Sequence, residues 1–138
     1  MTTADPGEGS ALAANNFVAV YGGAPIVMDY STVEIDTGAK WIDGSAIYKK
    51  TISTGTLPNA TTKDVAHGIS SLSRVLKAEG YAYRSSDSVT YLIPFASPIS
   101  ATYSISLSVN TTNIQFTTGT DRSDVAESYV TLYYTKSS

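Results

Sequence analysis

The chain has 138 residues, no cysteine, one histidine and a formal net charge of −3 at neutral pH. This length predicts a single domain that buries about two thirds of the surface its unfolded chain exposes. The composition excludes disulfides and thiolate metal sites, the acidic balance argues against nucleic acid as a partner, and no apolar run approaches membrane-spanning length, so we expect no membrane insertion.

The first 29 residues are rich in alanine, glycine and small polar residues, and they carry no lysine or arginine. We expect neither a conventional signal peptide nor an independently folded unit here, but an N-terminal arm. Its two apolar pieces are too apolar for a solvated tail, so we predict that the arm orders on a partner protein by strand addition. The candidate anchor residues are Phe17, Val18, Val20, Ile26 and Val27.

A hairpin is predicted at the start of the domain that spans residues 30–138. Asp43-Gly44 is a strong turn signal between an extended piece that contains Trp41 and the strand "IYKKTI". We expect Trp41, the only tryptophan, to cover one end of the core. The alternative makes it a platform for a sugar ring or an aliphatic ligand. Lys49 and Lys50 are interpreted as providing solubility and edge protection.

The stretch "ISSLSRVLKAEGYAY" from residue 69 to 83 fits two kinds of element. Its aliphatic residues also lie at helical spacings. The alternation that follows Gly80 favours a strand, and the glycine itself suggests a bulge at that position.

Further strands are predicted by two-residue alternation of apolar and polar side chains. They are "VTYLIPF" (89–95), "ATYSISLSV" (101–109), "TNIQFTT" (112–118) and "SYVTLYYT" (128–135). About eight short strands in one domain predict two packed antiparallel sheets. The expected fold is therefore an all-β, jelly-roll-like sandwich with an extended arm.

Tyrosine is unusually frequent, with ten residues against three phenylalanines. Most fall in predicted strands, where cross-strand pairing and partial burial are expected. The adjacent Tyr133 and Tyr134 must face opposite sides of a regular strand, so at least one leaves the core. This surplus favours an oligomer or a recognition surface, and with Trp41 these two are the candidate ligand or interface residues.

No catalytic cluster is evident. We interpret His67, at a predicted strand end, as a turn hydrogen-bonder rather than a general base. The carboxylate pairs Asp36/Asp43 and Asp121/Asp124 would suffice for a glycosidase, but they lie in predicted turns. The loop at 120–124 also offers oxygens to calcium, without an EF-hand spacing. We predict no catalytic residue, no metal site and no cofactor.

The segment "YSTVEIDTGAKWIDGSAIYKKTISTGTLPNATTKDVAHGI", followed by "GYAY", "LIPF", "TGTDRSD" and "YVTLYYTK", resembles a domain recurrent in bacteriophage virion proteins. The match covers residues 30–136, and Ser45 replaces a lysine that is frequent in the family. The resemblance implies β-sandwich modules of tail fibres, receptor-binding proteins, baseplate parts, head fibres or capsid decorations, generally homotrimeric.

That resemblance makes the leading hypothesis a non-enzymatic structural protein of the virion, assembled in the cytoplasm of a bacterial host. In this hypothesis a short fibre is anchored by its arm to capsid or tail proteins and projects a trimeric sandwich that adheres to a glycan or protein of the host surface. The alternative is a capsid decoration protein that stabilises the shell. A carbohydrate-active enzyme is a third and weaker hypothesis.

Overall fold

The computed structural model describes residues 19–21 and 24–137, with side chains from residue 27 onward. Within these ranges, no helix is long and apolar enough to cross a membrane. The strands are β1 (Ala19–Tyr21), β2 (Ala24–Ile26), β3 (Ile35–Lys40), β4 (Ala46–Ser53), β5 (Thr62–Ala66), β6 (Leu72–Arg84), β7 (Val89–Ile93), β8 (Ile105–Val109), β9 (Asn113–Thr118) and β10 (Glu127–Lys136).

Two antiparallel sheets form an all-β sandwich, as the alternation predicted. The larger sheet has the order β3-β4-β10-β6-β7 and the smaller one β5-β9-β8. A bridge between Phe95 and Ile105 connects their neighbouring edges, and a bridge between Asn59 and Asp121 joins two loops. The eight strands that follow residue 30 equal the predicted number.

The core lies between the two sheets and is built from alternate residues of their strands. β10 supplies Val130, Leu132 and Tyr134, and β9 supplies Ile114 and Phe116, all with no exposed surface. The remaining buried apolar side chains come from the other strands and from loops: Ile52, Leu57, Ile69, Ala82, Ile93, Ile105 and Val125.

The hairpin between β3 and β4 turns at Asp43-Gly44, as predicted. The Gly44 N–H donates to the Trp41 carbonyl at 2.9 Å, and the Asp43 carboxylate accepts from the Ser45 N–H at 2.9 Å. Gly44 has φ +87°, in the left-handed region that glycine adopts at low cost. Local hydrogen bonding and glycine geometry therefore account for this turn.

The segment from residue 69 to 83 is mainly strand β6, as favoured over a helix, but the predicted bulge at Gly80 is wrong. Gly80 pairs in regular register with Val130 of β10. A Cβ on Gly80 would lie 2.5 Å from the Tyr129 carbonyl oxygen, so glycine is required there by close packing. The register with β10 shifts by one residue at two other places in β6, at Leu76 and at Ser73.

Strand β8 is shorter than "ATYSISLSV" predicted. Ala101–Tyr103 forms a 3-10 turn whose N-cap is Ser100, and the Ser100 side chain accepts from the Thr102 N–H. Because Ser and Thr side chains offer the backbone such local hydrogen bonds, they compete with strand formation. Tyr103 therefore lies outside the alternating series that begins at Ile105.

The N-terminal segment contains a hairpin in which β1 pairs antiparallel with β2. The Val27 N–H then donates to the Thr37 carbonyl at 2.8 Å. Of the candidate anchor residues, Val20 and Ile26 lie in the two hairpin strands. Phe17 and Val18 lie outside the described residues. The hairpin thus leads directly into the edge of β3.

Candidate functional site

His67 is a structural hydrogen-bonding residue, as predicted for a histidine at a strand end. Its Nδ1 accepts from the Ile69 N–H at 3.1 Å, so its Nε2 donates to the Asn110 carbonyl at 3.0 Å. Lys50 Nζ donates to the His67 carbonyl at 2.7 Å. Both ring nitrogens are engaged with backbone groups, and the residue joins β4, β5 and the loop after β8.

A second group of residues, from the sequence motif at residues 30–69, stabilises the chain where it passes from β4 to β5. Lys63 Nζ donates to the carbonyls of Thr54 at 2.9 Å and Thr56 at 2.5 Å. Leu57 is buried in the core. The Pro58 carbonyl accepts from Thr118 Oγ1 at 3.1 Å. The motif therefore specifies a scaffold.

The aspartates that were considered for catalysis are engaged in local structure. Asp36 Oδ1 accepts from the Gly38 N–H at 2.9 Å, although Asp36 lies in β3 and not in the predicted turn. Asp121 Oδ1 accepts from the Ser123 N–H at 2.9 Å, and hydrogen bonds from Ser123 lower the pKa of Asp121. Asp124 pairs with Arg84 at 3.3 Å.

Metal ligands do not converge in the described part of the chain, where no group of three or more His, Asp or Glu side chains is placed to hold an ion.

Several tyrosines lie on the outer face of the five-stranded sheet, which we call the tyrosine face. Tyr81 of β6 and Tyr129 and Tyr133 of β10 point outward because they alternate with core residues. Tyr30 from the segment before β3 lies beside them and lines the same cavities. Two cavities on this face make it the strongest candidate for a binding surface.

The first cavity has a volume of about 700 Å³, and its walls include Tyr81, Tyr129 and Leu92. The rings of Tyr81 and Tyr129 stack with centroids 5.7 Å apart. The Tyr81 hydroxyl donates to Glu127 at 2.7 Å, and this hydrogen bond raises the pKa of Tyr81. Leu92 is 71% exposed. The cavity thus combines apolar walls with a carboxylate at its border.

The second cavity has a volume of about 520 Å³ and contains Trp41, Lys49 and Tyr133 in its walls. Trp41 is 41% exposed, so the prediction that it covers one end of the core is wrong. The hairpin turn places its indole on the outer side of the sheet. Leu76 also lines this cavity, because the bulge in β6 adds one residue at this position.

Lys49 is the least expected residue of this cavity, because it is only 2% exposed. β4 lies between β3 and β10, so the interpretation of Lys49 and Lys50 as edge protection is wrong. Lys49 Nζ lies over the Tyr30 ring, 4.5 Å from its centroid, a cation–π contact. Burial lowers the pKa of Lys49, and nearby Asp29 and Glu79 oppose that shift.

The structure brings together three of the predicted site residues and separates a fourth. Trp41, Tyr133 and Val27 all line the second cavity. Tyr134 is in the core instead, stacked on Tyr48 with centroids 6.1 Å apart.

Four residues of the tyrosine face are not among the site residues predicted from the sequence: Tyr30, Lys49, Tyr81 and Tyr129. The alternation within β6 and β10 places Tyr81 and Tyr129 opposite their core residues, but the strand order was needed to make them neighbours.

Comparison with protein-family models, with curated proteins and with solved structures gave no match.

Proposed function

We propose that the protein is a non-enzymatic structural protein of a bacteriophage virion, a short fibre or appendage that projects a trimeric sandwich and adheres to the host surface. The tyrosine face is the observation that carries the adhesive role. It presents two ligand-sized cavities with aromatic walls on one side of a rigid sheet. The resemblance to phage virion domains supports the assignment to a virion.

Tyrosine suits such a surface because it provides a large rigid contact area together with a hydroxyl for hydrogen bonding. Tyr30, Met28 and Leu92 on this face are each more than half exposed. Apolar side chains grouped in this way mark interaction surfaces in soluble proteins. The opposite face of the same sheet packs in the core, so the sandwich holds the tyrosine face in a fixed shape.

The N-terminal arm would supply the attachment to the particle. The Val27 N–H donates to the Thr37 carbonyl, so the arm leaves the sandwich beside β3, and the β1–β2 hairpin would pair with a partner protein while the sandwich projects outward. Deleting residues 1–26 should leave a folded protein that no longer joins particles. If the truncated protein is incorporated into particles normally, the anchor lies in the sandwich instead.

The adhesive role is tested by binding of purified, fluorescently labelled protein to cells of the host. Leu92→Ser combined with Tyr81→Ser should weaken adhesion about tenfold or more. Ile99→Ser is the matched control, because Ile99 is 84% exposed and lies outside both cavities. Circular dichroism confirms that each variant is folded. Unchanged adhesion of the folded double variant would contradict the proposal.

A further inference from the structure

The second cavity has the ammonium group of Lys49 in its wall. Among the residues that the structure describes, Lys49 Nζ has no hydrogen bond and no ion pair. Its contacts are the rings of Tyr30, at 4.5 Å, and Tyr133, at 5.9 Å. A buried ammonium group costs free energy unless it is paired and hydrogen-bonded. The cavity therefore presents an ammonium group, held against two aromatic rings, to which a ligand with an acceptor group can bind.

The acidic residues near Lys49 have other partners. Glu79 pairs with Lys77 at 3.4 Å and accepts from the Tyr133 hydroxyl at 3.4 Å. Asp29 and Glu79 favour the charged form of Lys49, but neither contacts it as an ion pair. These carboxylates would repel a ligand with several negative charges. A ligand with one carboxylate fits this balance best.

The other residues that line the cavity indicate what kind of molecule carries this carboxylate. Trp41, Met28 and Leu76 provide a mostly apolar surface, and the partly exposed Trp41 indole offers a flat ring at the cavity wall. The volume of about 520 Å³ is within the usual range of small-molecule sites. A pyranose ring has an apolar face that stacks on an indole and hydroxyls that remain in contact with water at the cavity mouth.

We propose that this cavity binds a carboxylated sugar residue, whose carboxylate pairs with Lys49 and whose ring lies against Trp41. The proposal rests on the proposed function, because it names acidic glycans as the surface component to which the protein adheres. Lys49 is then a specificity determinant that distinguishes an acidic sugar from a neutral one of the same shape.

Trp41 makes the test direct, because the only tryptophan of the chain reports on this cavity by its fluorescence. The full chain is titrated with glucuronate, galacturonate and N-acetylneuraminate, and with glucose as the neutral match. We expect saturable quenching by at least one of the three acids. Glucose should bind at least about tenfold more weakly than that acid. Equal affinity for glucose, or no response to any of the three acids, would overturn the proposal.

Two variants identify the ion pair. Lys49→Met should abolish the preference for the acid over glucose, whereas Lys40→Met removes the same charge from an exposed position of β3 and should leave it intact. Lys49→Met should also fold, because methionine replaces a buried ammonium by an apolar chain. If Lys49→Met does not fold, binding of the acid to Trp41→Ala is measured by calorimetry instead. Trp41→Ala should bind the acid about tenfold more weakly than the wild type. An unchanged acid preference in folded Lys49→Met, or unchanged acid binding in Trp41→Ala, would contradict the site.

The two proposals fail separately. If the protein binds an acidic sugar but is absent from virions, the carboxylate site is supported and the virion function is contradicted. If the protein is part of the virion and adheres to the host through the tyrosine face, but binds none of the three acids, only the carboxylate site is contradicted.

Discussion

Tyr133 and Tyr134 are adjacent in β10, yet they serve opposite sides of the sheet. The Tyr134 ring has no exposed surface, and its hydroxyl donates to Glu34 at 2.6 Å. The Tyr133 ring lies on the tyrosine face between Lys49 and Lys77. Alternation along one strand thus separates a residue of the core from a residue of the candidate site.

This separation predicts different effects for the same substitution. Tyr134→Phe removes a short hydrogen bond to a carboxylate, which is worth about 1.5–3 kcal/mol, and should lower the free energy of unfolding by that order. Tyr133→Phe, the matched control, loses a contact of 3.4 Å to Glu79 and should change it by less than about 0.5 kcal/mol. Urea unfolding measures both. Equal losses in the two variants would show that the opposite placement is wrong.

Glu34 predicts a pH dependence of stability. Burial raises the pKa of Glu34, but hydrogen bonds from Tyr134 and Lys136 outweigh it, so the folded-state pKa is below the ordinary value of 4.5. The carboxylate therefore stabilises the fold above the unfolded-state pKa, and this contribution is lost as the pH falls through the folded-state pKa.

The measurement is urea unfolding of the wild type and Glu34→Gln from pH 7 to pH 3. The wild type should be more stable than the variant at pH 7, and the difference should shrink as the pH falls below 4.5, the ordinary pKa of glutamate. A difference that is constant over this range, or that grows on acidification, would contradict the ion pair and hydrogen bond assigned to Glu34.

Replacement of Gly80 or Gly44 by alanine should lower the free energy of unfolding, for a different reason at each position. Gly80→Ala would place a methyl group 2.5 Å from the Tyr129 carbonyl oxygen, which forces apart the central strands β6 and β10. We expect a loss of more than about 3 kcal/mol, as for severe overpacking. Gly44→Ala meets no atom within 4 Å and is strained only by φ +87°, at about 1–2 kcal/mol. Thermal unfolding compares them, and a larger loss at Gly44 would refute this reading of β6.

The proposed virion function predicts that the protein assembles as a homotrimer. Sedimentation velocity of the purified protein at micromolar concentration should give the mass of three 14.6 kDa chains. A monomer at all concentrations would exclude the trimer and with it the fibre-like arrangement.

The strands were predictable because their signals are local. Asp43-Gly44 determines a hairpin through one side-chain hydrogen bond and one favourable glycine. The alternation in β10 predicts which residues are buried. By contrast, the position of Gly80 depends on how closely β10 approaches β6, and a single strand contains no information about that distance.

The candidate site was only partly predictable for the same reason. Trp41 and Tyr133 were selected by residue type, and they do meet in one cavity. The burial of Lys49 follows from the central position of β4 and from Tyr30, which lies over it. Both are long-range features of the fold, whereas the local sequence around Lys49 predicts an exposed lysine.

The location of the protein on virus particles tests the central claim most directly. Purified particles of the phage that the proposed function implies, carrying a gold label on the C-terminus of this chain, are imaged by electron microscopy, with unlabelled particles as the control. The account predicts discrete label at a projecting appendage of the capsid or tail, and loss of that label when residues 1–26 are deleted. Particles that lack the protein altogether would contradict the account. An even distribution of label over the capsid faces would contradict the adhesive appendage and would instead indicate a decoration protein that stabilises the shell.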